Sequence, residues 1–120
     1  MSTQTHTFEI EAVGRAVEQR GAEGLADFLA DDVEWTEVDQ RTPPASPALH
    51  RGREQVLELF REAESRGIRS AIDDGFVTGD RAAFALRCTY PSGEAVLGNA
   101  LCQLRAGKIV RWSAVQAWDG

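Results

Sequence analysis

The chain has 120 residues, a net charge of −6, 42% hydrophobic residues and 27% charged ones. That is the length and composition of one ordinary globular domain, large enough to bury a core without disulfide or metal staples. The acidic balance and scattered Lys and Arg argue against nucleic acid and against an anionic membrane surface, since both need clustered positive charge.

In chain order, residues 1–6 have neither a basic start nor an apolar run. They read as a flexible tail to a single domain over 1–120, and not as a signal peptide. No stretch approaches the ~20 apolar residues of a membrane span, so a cytoplasmic protein is expected. Residues 7–20 place Phe8, Ala12, Val13, Ala16 and Val17 at helical spacing, and Gly21 ends that helix. A short second helix over 22–30 carries Leu25, Phe28 and Leu29. Asp31 and Asp32 then read as a helix-end turn, where Asp side chains bond nearby backbone. A strand over 33–38 follows, and Pro43, Pro44 and Pro47 make 39–51 a loop. A third helix over 53–66 shows one stripe of Val56, Leu57, Leu59, Phe60 and Ala63, and Gly67 stops it.

The rest alternates as strands over 68–77, 81–90, 94–104 and 109–118, separated by Gly-containing turns. Tight turns between consecutive strands predict an antiparallel meander, and helices before strands predict an α+β fold with helices on one sheet face. Asp73 and Asp74 suit an edge strand, where charge blocks aggregation. Cys88 and Cys102 fall inside apolar runs and read as buried free thiols. With only two distant histidines beside them they do not make a zinc site, and no metal or organic cofactor is expected.

Strand side chains alternate between faces. Val33, Trp35 and Glu37 therefore share a face, which should point inward and aim Glu37 at an apolar cavity. Burial raises a carboxyl group's pKa and suits it to act as a general base near neutral pH. The bland alternative puts Glu37 at a solvated rim, paired with Arg41 or Arg51. On the last strand Trp112, Ala114, Gln116 and Trp118 share a face. Gln116 either supports Glu37 and a ligand oxygen or is a core amide satisfied by backbone. Tyr90 offers a hydroxyl or simply packs, and His50 either exchanges protons with Glu37 or sits exposed in its loop. Trp35, Phe28, Phe60, Phe84, Trp112 and Trp118 supply aromatic and apolar lining for a small hydrophobic ligand.

Three stretches carry a family resemblance: LADFLADDVEWTEV from Leu25, HRGREQVLELF from His50 and LRAGKIVRW from Leu104. In their order and spacing they resemble the nuclear transport factor 2-like superfamily, in its SnoaL-like and ketosteroid isomerase-like branch. The resemblance implies a cone-shaped, curved antiparallel sheet of about four long strands plus a short one, wrapped around three helices. It also implies a homodimer through the outer sheet face, here Ala83, Ala85, Leu97, Leu101, Val110 and Val115.

By the same resemblance Glu37 matches the isomerase's catalytic Asp, while its enolate-holding Tyr and Asp fall at Val13 and Ala100. Neither can donate a hydrogen bond. A one-residue shift in register would bring Asn99 inward instead of Ala100. The acid set of an epoxide hydrolase cannot be assembled, because the inward positions of the middle strand hold no acid. Three readings stay open: a cofactor-free isomerase or cyclase using Glu37, a non-catalytic binder of a small apolar molecule, and an interaction module using its sheet.

Overall fold

The computed structural model describes residues 8–119. The expected tail at 1–6 lies outside these residues. Three helices, α1 (Ile10–Arg20), α2 (Ala22–Ala26) and α3 (Arg53–Ser65), pack on one six-stranded sheet. The strands are β1 (Leu29–Val38), β2 (Ala48–Arg51), β3 (Arg69–Thr78), β4 (Arg81–Thr89), β5 (Ala95–Arg105) and β6 (Lys108–Trp118). They lie in the order β2-β1-β6-β5-β4-β3. Strands β3 to β6 form the expected antiparallel meander, and β1 joins it by pairing parallel to β6. The fold is α+β with a curved, unclosed sheet. Among the described residues no helix is long and apolar enough to cross a membrane.

Three local expectations are corrected. Helix α2 stops at Ala26, because the backbone beyond it is claimed by β6. The Ile109 N–H donates to the Phe28 carbonyl at 2.8 Å, and Leu29 sits in register with Ile109. Asp31 and Asp32 are consequently strand residues and not a capping pair. Both point to solvent, where Asp31 pairs with Arg53 at 3.3 Å and Asp32 with Arg105 at 2.8 Å. The stretch expected to be all loop also yields β2, which starts just after Pro47 and pairs antiparallel with β1.

Burial follows the alternation. Along β5, Val96, Gly98, Ala100, Cys102 and Leu104 face inward, while Leu97, Asn99, Leu101 and Gln103 face out. Ala100 is thus the inward residue and Asn99 the outward one. Helix α1 lies directly on β3: a Cβ on Gly14 would stand 2.5 Å from the Ile72 carbonyl oxygen, a contact no larger residue can make without moving the helix.

The centre of the core is a pair of indoles. Trp35 and Trp112 are opposite one another in the parallel β1–β6 ladder. Their rings stack at 3.7 Å with 11° between planes, and the residues are 1% and 0% exposed. Phe60 from α3 meets Trp35 edge-on at 5.4 Å, and Phe84 from β4 meets Trp112 edge-on at 5.0 Å. One cluster therefore ties a helix and three strands together. Neither indole N–H has a hydrogen-bond partner, so the gain here is apolar contact alone.

Removing one ring would leave a large hole in this cluster. Trp112→Ala is expected to lower unfolding free energy by about 3–5 kcal/mol, read by urea denaturation. A loss below about 1 kcal/mol would show that the stack does not organise the core.

Candidate functional site

At the wide end of the core, above the indoles, lies an open cavity of about 250 Å³. Its walls include Glu37 from β1, Gln116 and Trp118 from β6, Leu86, Cys88 and Tyr90 from β4 and its end, and Leu59, Phe60, Glu62, Ala63 and Arg66 from α3 and its end. Alternation places Glu37 here: it follows Trp35 by two residues on β1, on the inward face. Gln116 is placed the same way on β6, two residues past Ala114, the parallel partner of Glu37.

The Gln116 Nε2 donates to the Glu37 Oε2 at 2.6 Å. The Gln116 side chain packs closely on the glycine opposite. Gly98 pairs with Gln116, and a Cβ there would come within 3.1 Å of the Gln116 Cγ.

Burial pushes the Glu37 carboxyl above the ordinary carboxylate value, and the nearby charge of Asp39 pushes the same way. The Trp35 indole N–H and the Gln116 amide oppose this and favour the ionised form. Trp35 makes no hydrogen bond of ordinary geometry, so it acts on Glu37 as a neighbouring dipole. Burial dominates, and the net shift is upward. Among the described residues no ion pair joins Glu37 to Arg41 or Arg51. Arg41 instead lies over the Trp118 ring, 5.2 Å from its centre.

The Trp118 wall is held from outside the sheet. Beyond Val115, β6 has no β1 residue left in register. The Gln40 side chain takes that place: its Nε2 donates to the Trp118 carbonyl at 3.3 Å, and its Oε1 accepts from the Trp118 N–H at 3.1 Å. The loop carrying Gln40 is in turn tied by Asp39 Oδ1, which accepts from the N–H groups of Arg41 and Thr42 at 2.8 and 2.9 Å.

Of the residues picked from sequence, Glu37, Gln116, Tyr90, Phe60 and Trp118 meet at the cavity. Trp35, Trp112, Phe84, Val13 and Ala100 lie in the closed core beneath it. Phe28 packs edge-on against Phe8 at 6.0 Å, away from the carboxylate. His50 stands on β2 in register with Trp35 and does not line the cavity; the β2 residue in register with Glu37 is Ala48. Of α3 the sequence singled out Phe60 alone as lining, and its neighbours Leu59, Glu62 and Ala63 went unnoticed in that role. Their signal was the three- and four-residue spacing of Leu59, Glu62, Ala63 and Arg66, which runs along the apolar stripe to the residue just past the helix.

Ser70, with Ile68 and Val96, also lines the cavity beside Cys88. The Ser70 Oγ and Cys88 Sγ are 3.5 Å apart. Burial raises the Cys88 thiol pKa, Ser70 opposes it, and the Glu37 charge raises it further. Cys102, away from the cavity, is buried and pushed up to about 12, as a structural free thiol should be. Among the described residues no cluster of His, Cys, Asp and Glu is placed to hold a metal ion.

A model of the SnoaL-like domain matches residues 10–112. The chain belongs to the SnoaL-like domain family. Solved structures share its fold at low identity. A nuclear transport factor 2-like protein of unknown function from Mesorhizobium loti is 24% identical, with TM-score 0.62 over 95% of this chain and 99% of that one. A protein of ketosteroid isomerase-like fold from Catenulispora acidiphila, solved with trimethylamine, is 22% identical, with TM-score 0.63 over 90% and 85%. An epoxide hydrolase from M. tuberculosis is 16% identical, with TM-score 0.64 over 92% and 79%. No protein of curated function matches the sequence.

The folded chain of this SnoaL-like protein holds the Glu37 proton more tightly than the unfolded chain does. Its stability therefore falls as pH rises from the ordinary carboxylate value of 4.5 through the raised value of Glu37. Glu37→Gln carries no such loss. In thermal melts it is expected to gain on the native chain as pH rises through that window and to lose the gain below it. A difference that does not vary with pH would show that Glu37 is solvated.

Proposed function

We propose that this SnoaL-like protein is a cofactor-independent isomerase or cyclase acting in the cytoplasm on a small hydrophobic carbonyl compound. The observation that carries the proposal is Glu37, a carboxylate desolvated in an apolar cavity and hydrogen-bonded by Gln116. Glu37 removes a proton alpha to the carbonyl. The bond electrons move into the carbonyl as an enolate; then either Glu37 returns the proton to another carbon, or the enolate carbon attacks a second carbonyl of the substrate, whose π electrons move to its oxygen and take the proton back from Glu37. Gln116 holds the carboxylate oriented, and Tyr90, at the same cavity, offers its hydroxyl to the developing oxyanion. The raised proton affinity of Glu37 favours the transfer at neutral pH.

The second reading is a non-catalytic binder of the same class of ligand. Val13 and Ala100 favour it, because both are buried and neither can donate a hydrogen bond to an enolate. Proton exchange separates the two. The native chain is expected to speed deuterium uptake from heavy water at the alpha carbon of a cyclic ketone, with a rate that rises through the pKa of Glu37. Glu37→Gln is expected to lose about a hundred- to ten-thousand-fold of that rate while still binding the ketone. Equal exchange rates in the two proteins would remove Glu37 as the base.

The proposal includes a homodimer through the outer sheet face. Leu97, Leu101 and Val115 are exposed there, beside half-buried Ala83 and Ala85 on the neighbouring strand. Register puts Ala83 against Leu101 and aligns Ala85, Asn99 and Val115 in one row, so the apolar groups form a single patch. Leu101→Asp is expected to convert a dimer into a monomer in sedimentation velocity. A native chain that sediments as a monomer would remove the interface.

A further inference from the structure

We infer that the Glu37 cavity selects carbonyl compounds of one or two fused rings and rejects a rigid four-ring skeleton such as a steroid ketone. This rests on the reading of Glu37 as the base and adds the size of what it acts on. The limit comes from the floor of the cavity. Trp35 sits one inward step below Glu37 on β1, and Trp112, level with it on β6, sits two inward steps below Gln116 with Ala114 between. The two indoles are stacked at 3.7 Å, fully buried, and absent from the cavity wall. Phe60 leans edge-on against Trp35 and also lines the cavity, so it seals the step between the two layers. The sheet's interior below the carboxylate is thus occupied by indole rings, and a ligand has only the space above them.

That space is about 250 Å³. A dry cavity of about 150 Å³ takes one benzene ring. The room beside Glu37 therefore fits two fused rings with their oxygen and leaves further rings outside. They find no apolar shelter there. At the mouth stand Arg66 and Glu62, 3.6 Å apart as an ion pair. Behind Phe60, Ile68 and Ser70 a second, larger cleft opens, but its walls bear Arg20, Glu64, Arg69 and Arg87. A rigid fused skeleton cannot turn around Phe60 to reach it, and apolar rings laid on those charges would desolvate them at a cost.

The test is a ring series bound to the native chain: a cyclohexenone, a two-ring tetralone, a three-ring ketone and a four-ring steroid enone, measured by isothermal titration calorimetry. Kd is expected to improve by about ten-fold or more from one ring to two, and by less than about two-fold beyond. A steroid binding ten-fold tighter than the tetralone would overturn the size limit, as would a series with no measurable binding. Trp112→Phe keeps an aromatic floor with less volume and is expected to improve binding of the three-ring ketone several-fold, with the cyclohexenone unchanged. No change in either would also overturn the limit. The series reads binding alone, so Glu37→Gln is expected to keep the same size order. A chain that shows this order but exchanges no alpha protons retains the size limit and loses the base. A chain that exchanges the steroid's protons as fast as the tetralone's does the reverse.

Discussion

Trp35 and Trp112 face each other across the parallel ladder of β1 and β6, and much of the molecule is arranged around that contact. Parallel pairing brings together strands from opposite ends of the chain, which needs a reward to offset the loop-closure entropy of the long intervening segment. Two indoles buried to the last few ångströms of surface supply it, each removing roughly 150–250 Å² from water. The stack also sets the depth of the molecule. Core lies below it and the cavity above it, with Phe60 and Phe84 closing the sides. The orphaned indole N–H groups are the cost of placing tryptophan where only apolar contact is on offer.

Glu37 stands directly above this dry layer, and opposing effects meet on it. Desolvation pushes its proton affinity up, while the Trp35 dipole and the Gln116 amide hold it back. A carboxylate with no donors would stay protonated and inert as a base. One with many would stay ionised and weakly basic. The single short bond from Gln116 leaves Glu37 between these limits. Gly98 belongs to the same arrangement although it has no side chain, because a Cβ there would press on the Gln116 side chain that reaches the carboxylate.

Strand alternation made most of this legible in the sequence. It assigned Trp35 and Glu37 to one face, Trp112 and Gln116 to another inward face, and Ala100 in preference to Asn99 as the inward residue of β5. Such patterns are local, and a period of two survives any error about neighbours. What stayed hidden depends on partners far along the chain. Leu29 and Ala30 look like the end of a helix until Ile109 is beside them. Residues 48–51 look like the tail of a proline loop until β1 offers an edge. Depth was equally hidden. Trp35 and Trp118 both face inward, yet only Trp118 touches the cavity, because position along a strand fixes height and alternation does not. His50 illustrates the same point: its register with Trp35 puts it level with the floor.

The Gln40 amide bonds both backbone groups of Trp118, so a side chain stands where a strand would otherwise be. A strand residue is released only when its neighbours unzip in turn. A single amide can let go alone, through rotation about its own side-chain bonds and without disturbing the ladder. On this edge the end of β6 is held by one side chain, while on the other it stays bonded to β5, where the Asp119 N–H donates to the Ala95 carbonyl at 3.1 Å. Solvent exchange at the Trp118 amide reports how often the Gln40 amide lets go, on a clock separate from that of unfolding.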